Sequence, residues 1–469
     1  MMSVATNTRR GFSWKRRRVA IDPSIPKALP TATPPSNEGA VQHGVRAWLR
    51  WVEPWYLAYA LLGATVAGLL PILLPLTVAR GHGATEVGLV MAALNLGGLT
   101  APLWGGLADR HRLHRLLLAG GLFFTAVGVL AFAFVTEWTV RLGLALLQGV
   151  GAAAAATVAN LFVVEAHPQV EWDQRIGWLQ TFYGGGQVGG LLLAGVLSQT
   201  HLRLGLLLAA GLPTLALLPG WFCTRTPAGV LSARPILLHP ARHGEWAACS
   251  PQRLFHYLTW DMLKRLRVSL RLPFGLFLAA WLLSFGGSTA VFSLYPVLME
   301  HVFGVRPELS SWAFGAAAGL GLTLYSPAGR YSDRFGPARV LRLALGVRVL
   351  AFACLLILGL TRWTGRGYLA VSIFLFVVLA WSLLSVSGTA LTAGLSPVGE
   401  GEGMGLFNAT TAMAGVFGSA LGGWIAGQWG YLPALGLAAT GTAIGLAIAV
   451  AIRPVDLRKK GPLQRSERP

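Results

Sequence analysis

Residues able to do chemistry are few in this chain, and the ones that stand out come twice. Gly105-Gly-Leu-Ala-Asp109-Arg110 and Gly329-Arg330-Tyr-Ser-Asp333-Arg334 share the spacing Gly-x-x-x-Asp-Arg, each set between two apolar runs. One charged signature at matching points of two halves marks an internal repeat. Bond-making chemistry has no comparable foothold: HExxH, a Walker loop, GxSxG and clustered carboxylates within apolar runs are all missing from the sequence. Cys223, Cys249 and Cys354 stand in no CxxC or His-paired spacing, so neither a disulfide framework nor a zinc site is indicated. No enzyme activity, cofactor or metal is expected. Gly184-Gly185-Gly186-Gln187-Val-Gly189-Gly190 formally contains GxGxxG, but no strand precedes it, and the glycines read as a packing seam.

The elements that must position these residues follow from composition. Hydrophobic residues make up 54% of the chain and charged residues only 12%, far from the soluble norm of about 25% charged, so this is an integral membrane protein. Twelve apolar runs lie near 55–79, 86–107, 116–135, 139–164, 178–199, 203–222, 274–298, 310–329, 340–360, 367–392, 403–426 and 431–452. At a rise of 1.5 Å per residue, each can cross a hydrocarbon core of roughly 30 Å as a helix. The predicted fold class is therefore an all-α membrane protein of twelve transmembrane helices.

A net charge of +20 would suggest nucleic acid in a soluble protein, so the placement of that charge decides. With the N-terminus inside, the outer loops hold only Arg80, Arg141, Arg203, Arg306, Arg362 and Arg366, Arg348 falls within a span, and every other Lys or Arg is on the inner side. Such a bias predicts both termini in the cytoplasm, accounts for the basic charge by topology and excludes a nucleic-acid role.

Residues 1–52 read as a disordered basic tail and 454–469 as a second cytoplasmic tail. Arg9-Arg10-Gly11-Phe12 resembles a twin-arginine signal, but Arg16, Arg17, Arg18 and Asp22 follow where an apolar stretch is required. The segment 224–272 divides the chain into six spans over 53–223 and six over 273–453. Within it, Leu254, Phe255, Leu258, Met262 and Leu266 recur at helical spacing opposite Arg253, Lys264, Arg265, Arg267 and Arg271, the pattern of an amphipathic helix lying on inner headgroups.

Several polar groups within the runs are candidates for an interior cavity. In the seventh run, Trp281, Ser284, Phe285, Ser288, Phe292 and Tyr295 form one stripe of aromatic and hydroxyl character, and a lipid-facing surface gains nothing from hydroxyls. Trp381 and Ser385 of the tenth run, Asn408 of the eleventh, Tyr59, Asn95, Gln148 and Gln187 complete the candidate cavity set. Glu165 and Arg175 are placed to pair across the inner mouth. Arg348, inside the ninth run, is a functional candidate by default, although a side chain of that length rooted in the inner half is expected to snorkel to the cytoplasm or find a structural partner.

With connectors repeated after the second and eighth runs, twelve spans, inner termini and a long middle loop, the chain resembles the major facilitator superfamily over about 53–453. The resemblance implies two pseudo-symmetric six-helix bundles rocking about a central site, with helices 1, 4, 7 and 10 lining it, 2, 5, 8 and 11 flanking it and the rest in support. It also implies that the connector acids Asp109 and Asp333, with Gly105, Arg110, Gly329 and Arg334 around them, latch an inner gate against helix N-termini of the opposite half. Gly186 stands where the family's drug antiporters have a motif proline, Ala145 where they carry an arginine tied to proton coupling, and Arg112 where the connector glycine kept at Gly336 belongs. These departures point away from ordinary proton antiport. Glu86, Glu165 and Glu300 all sit at the ends of runs, so proton coupling would run through Glu165 or Asp109, or be absent. The expected function is alternating-access transport of a small organic molecule by a monomer in the plasma-membrane bilayer. Efflux of amphipathic compounds is the leading reading, and uptake of a neutral metabolite such as a sugar is the alternative.

Overall fold

A computed structural model describes residues 51–111, 113–168, 171–198, 201–224, 273–361, 363, 365–396 and 400–452, with backbone alone at 109–111, 165, 173 and 400–402. The C-terminal tail, the amphipathic linker helix and all of the N-terminal tail before residue 51 lie outside these residues.

Backbone amides and carbonyls find no partner in hydrocarbon, so a chain this apolar must satisfy them within each segment. Among the described residues there is accordingly no strand. The helices are α1 (Tyr56–Ala79), α2 (residues 84–111), α3 (His114–Phe132), α4 (Trp138–Ala166), α5 (Trp172–Leu197) and α6 (Leu202–Phe222) in the first half. The second half holds α7 (Pro273–Phe292, resuming as Tyr295–Phe303), α8 (Pro307–Phe335), α9 (Pro337–Leu360), α10 (Arg366–Leu395), α11 (Glu400–Trp429) and α12 (Tyr431–Ala451).

Breaks in these rods have local causes. In α1 a π-helical turn, Ala64–Leu69, precedes Pro71, whose missing N–H and ring disturb the hydrogen-bond ladder below it. The seventh apolar run breaks at Ser293 and Leu294 just before Pro296, so its stripe does not continue straight to Tyr295. Between α8 and α9, Gly336 turns the chain at φ +86°, a region that other residues avoid, and Pro337 starts the next helix.

Nine helices among the described residues are long and apolar enough to cross a membrane. The others of comparable length, α5, α8 and α11, have 26, 29 and 30 residues, but glycine, charge and amide side chains dilute their apolar character. Their positions explain this composition. In the first half α1 packs on α5 and α6, α2 on α4, and α3 on α4 and α6. In the second half α7 packs on α11 and α12, α8 on α10, and α9 on α10 and α12, which is the same pattern advanced by six helices. The halves then meet through α2 against α11 and α5 against α8, a pair of seams that the repeat exchanges. The three less apolar helices are thus seam helices that face the opposite half as well as lipid.

Close approach on the seams depends on missing side chains. A Cβ at Gly423 would sit 2.8 Å from the Ala84 carbonyl oxygen, and Gly88 faces Gly423 backbone to backbone. On the other seam Val188 meets Gly319, Leu191 meets Gly315 and Trp312 meets Gly195. These contacts all lie away from the charged connectors. At that end a single buried cluster runs through both halves, including Leu70, Ile72, Val87, Met91, Tyr295, Leu298, Phe314 and Phe374. At the connector end each half instead closes on its own core, Tyr56, Tyr59, Val158, Phe162 and Leu179 in one and Phe274, Phe277, Trp281, Leu345 and Phe407 in the other. Among the described residues the halves therefore share a core at one end and are parted at the other.

Candidate functional site

The parted end is walled by polar groups that lipid would not solvate. Gln180 and Thr181 on α5, Tyr325 and Ser326 on α8, Thr389 on α10 and Asn408 on α11 are exposed there, consistent with a water-filled vestibule. Tyr59 belongs to the wall of the first half: Asn160 donates to its hydroxyl at 3.5 Å and accepts from Gln180 at 3.2 Å.

Deeper, where the halves meet, lies a cavity of about 300 Å³. The first half contributes Ala67 and Pro71 from α1, Met91 and Asn95 from α2, and Gln187 from α5. The second half contributes Phe285, Thr289, Phe292 and Ser293 from α7, Phe314, Leu322 and Tyr325 from α8, and Val378, Trp381 and Ser382 from α10, with Arg348 reaching in from α9. Phe285 is the centre of an aromatic row, stacked on Trp281 at 6.0 Å and tilted against Trp381 at 5.5 Å. Asn95 closes the first-half side, donating to the Met91 carbonyl at 2.9 Å and across the seam to Ser419 Oγ at 3.2 Å. Such a surface offers apolar and stacking contact over most of its area, with a few fixed polar groups to orient a ligand.

Of the cavity residues expected from sequence, Asn95, Gln187, Phe285, Phe292 and Trp381 are on its wall. The others are placed elsewhere. Trp281 is buried behind Phe285, its indole N–H donating to Thr411 Oγ1 at 2.9 Å. Ser284 is turned toward Gly445 of α12, and Ser288 is buried beneath Arg348. Tyr295 is sealed into the closed end, its hydroxyl donating to the Ser310 carbonyl at 2.9 Å and its ring stacked on Phe374. Gln148 is buried against Gly128 of α3, and its carboxamide has no hydrogen-bond partner among the described residues. Ser385 lies beside Tyr325 below the cavity, and Asn408 lies on the vestibule. Helix α4 supplies no wall residue, whereas α9, expected only to support, supplies Arg348.

Sequence reasoning missed Thr289 and Ser293, which with Phe285 and Phe292 recur at i, i+4, i+7 and i+8 from α7 into the break that follows it. It also missed Ser382, which with Val378 and Trp381 makes the corresponding triplet on α10. Arg348 does not snorkel. It is 2% exposed, with Nε donating to the Val377 carbonyl at 3.2 Å and Nη1 to Ser288 Oγ at 3.1 Å.

The residues expected to form an inner gate fall along the helices at the parted end. Asp333 and Arg334 are exposed on the last turn of α8, and neither makes an ion pair among the described residues. Gly105 approaches only Thr157 of its own half, and Gly329 faces open space. The side chains of Asp109, Arg110 and Glu165 lie outside the described residues. Arg175 pairs with Glu171 at 2.8 Å and with Glu53 at 3.3 Å, and Glu53 also meets His167 at 2.8 Å, a cluster contained in the first half. Glu53, three residues before α1, thus ties the end of α4 to α5.

Known proteins share this fold. The chain is 28% identical over 318 residues to the multidrug resistance protein MdtG of Salmonella dublin and of Salmonella typhimurium, covering 65% of this chain and 72% of each relative. Among solved structures, the nucleoside transporter NupG superposes with a TM-score of 0.64 at 14% identity, over 85% of this chain and 96% of that one. A D-xylose-proton symporter superposes at 0.63 and 14% identity, over 86% and 97% of the two chains. An inward-facing, unoccupied bacterial homolog of the human lysosomal transporter Spinster superposes at 0.60 and 15% identity, over 85% and 94%. The Major Facilitator Superfamily profile matches residues 55–397 and 276–468, and the chain, a multi-pass membrane transporter, belongs to that superfamily.

Proposed function

We propose that this chain exports amphipathic organic compounds across the plasma membrane by alternating access, with both termini and the two charged connectors on the cytoplasmic side. One observation carries the reading: an aromatic-walled cavity lies at the junction of two repeated halves whose described residues share a core at one end only. A compound entering from the connector side reaches the cavity through the vestibule. Rocking the halves then closes that side and parts the seams of α2 with α11 and α5 with α8. Stacking and apolar contact tolerate varied shapes, which suits the wide substrate range that the name of the MdtG relatives implies.

In this cycle Asp109 and Asp333 latch the connector side when it closes, each against a helix end of the opposite half, a contact contributing about 1 kcal/mol. Their exposure in the open state at Asp333 fits a latch that is undone. Uptake of a neutral metabolite is the second reading, favoured by the hydrogen-bonding groups Asn95, Gln187, Thr289 and Ser382 on the wall. Reconstituted protein separates the two. Export predicts accelerated clearance of an amphipathic dye from loaded liposomes and no counterflow of sugars or nucleosides; the reverse result replaces export with uptake.

A further inference from the structure

Arg348 carries the one charge among the described residues of the cavity wall, and no described acid neutralises it. The groups that face it are Ser288 and Phe292 of α7 and Val377 and Trp381 of α10, with ring centroids of Phe292 and Trp381 at 5.8 and 5.7 Å from the guanidinium carbon. No acidic side chain among the described residues pairs with it. Two of its five N–H groups are used on a backbone carbonyl and a hydroxyl, tasks that a neutral amide would perform without placing a cation at mid-bilayer. The flanking rings hold the planar group in place and leave its remaining donors for whatever occupies the cavity.

We infer that Arg348 is the ligand-recognition group of this cavity and that the compounds carried are amphipathic organic anions, an aromatic or apolar body bearing a carboxylate. The inference rests on the export reading above and narrows its substrate class. The body stacks along Phe285 and Trp381, while the carboxylate takes the free N–H donors of Arg348 in a charge-assisted pair. Organic cations are disfavoured, because they would be brought into a low-dielectric space beside an unneutralised guanidinium. The charge inventory of the rest of the chain agrees. An anion leaving a cell that is negative inside moves down the electrical gradient, so its export needs no titratable carboxylate inside the spans, and every Asp and Glu of the spans sits near a helix end.

The test uses full-length protein in nanodiscs and three probes with one indole body: indole-3-acetate, its neutral amide, and tryptamine. Binding is measured by calorimetry for the native chain, Arg348→Met and Arg348→Lys. The native protein is expected to bind the acid at least about tenfold more tightly than the amide and to bind the amine most weakly. Arg348→Met should erase that order, and Arg348→Lys should keep part of it. The order in the native protein is itself decisive if a variant fails to fold. Equal binding of acid and amide, no saturable binding of the acid, or an unchanged order in Arg348→Met overturns the inference. Clearance of a carboxylate-bearing dye that proceeds unchanged in Arg348→Met would also overturn it while leaving export intact, whereas absence of any dye clearance by the native protein strikes the export reading itself.

Discussion

Asn95 on α2 donates across the junction of the two halves to Ser419 Oγ on α11, at 3.2 Å. The opposite seam has its counterpart, the Trp312 indole N–H of α8 donating to the Leu192 carbonyl of α5 at 3.2 Å. Each seam thus combines glycine-mediated packing with one hydrogen bond of 3.2 Å among the described residues, a light enough closure for the proposed alternation. Bonds between transmembrane helices contribute only about 0.6 kcal/mol on average. Asn95→Ala and Ser419→Ala should therefore each shift the closed-to-open ratio of this end roughly threefold, and the double variant no further than either. Maleimide labelling of a cysteine placed on the seam reads the ratio; additive effects would show that the bond is not shared.

Seam glycines predict a sharper contrast. A side chain at Gly423 would strike the backbone of α2, while Gly106 and Gly177, at the parted end, have open space around them. Gly423→Leu should hold the closed end apart and arrest transport without loss of monodisperse protein on gel filtration. Gly106→Ala and Gly177→Ala should leave transport near the native rate. Equal effects at all three positions would remove the asymmetry on which the mechanism depends.

Truncating the aromatic wall tests where compounds sit. Phe285→Ala and Trp381→Ala each remove a ring that borders the cavity, and aromatic pairs contribute about 0.5–1.5 kcal/mol beyond their area. Affinity for a bound amphipathic dye should fall roughly two- to tenfold in each. Phe123→Ala, on a ring exposed on the outer face of α3, is the control and should change nothing.

For the connector acids the expectation is a split between binding and turnover. Asp109→Asn and Asp333→Asn should slow transport while dye affinity stays native, since the two positions lie further along α2 and α8 than the cavity residues Asn95 and Tyr325. A loss of affinity equal to the loss of rate would place these acids at the ligand instead.

The repeat and the membrane spans were legible because both are period signals: the duplicated Gly-x-x-x-Asp-Arg turn and runs of about twenty apolar residues survive any detail of packing. The cavity wall was harder to read, because a buried helix packs on several sides at once. Trp281, Ser284 and Ser288 share the polar stripe of α7 with Phe285, yet the first bonds to α11, the second abuts α12 and the third is held under Arg348. Only the face carrying Phe285, Thr289, Phe292 and Ser293 remained for the cavity. Arg348 was visible as an anomaly, but its partners, a backbone carbonyl and a serine, leave no charge pattern in sequence from which its orientation could be read.

Locking the closed end with a disulfide addresses alternation itself. Thr85 Cβ lies 3.3 Å from the position a Cβ would take at residue 427, close to the span of a disulfide. In a chain with Cys223, Cys249 and Cys354 replaced by serine, Thr85→Cys with Gly427→Cys should cross-link on mild oxidation, stop dye clearance from liposomes, and regain it on reduction. Cross-linked protein that clears dye at the uncross-linked rate would contradict alternating access through this seam.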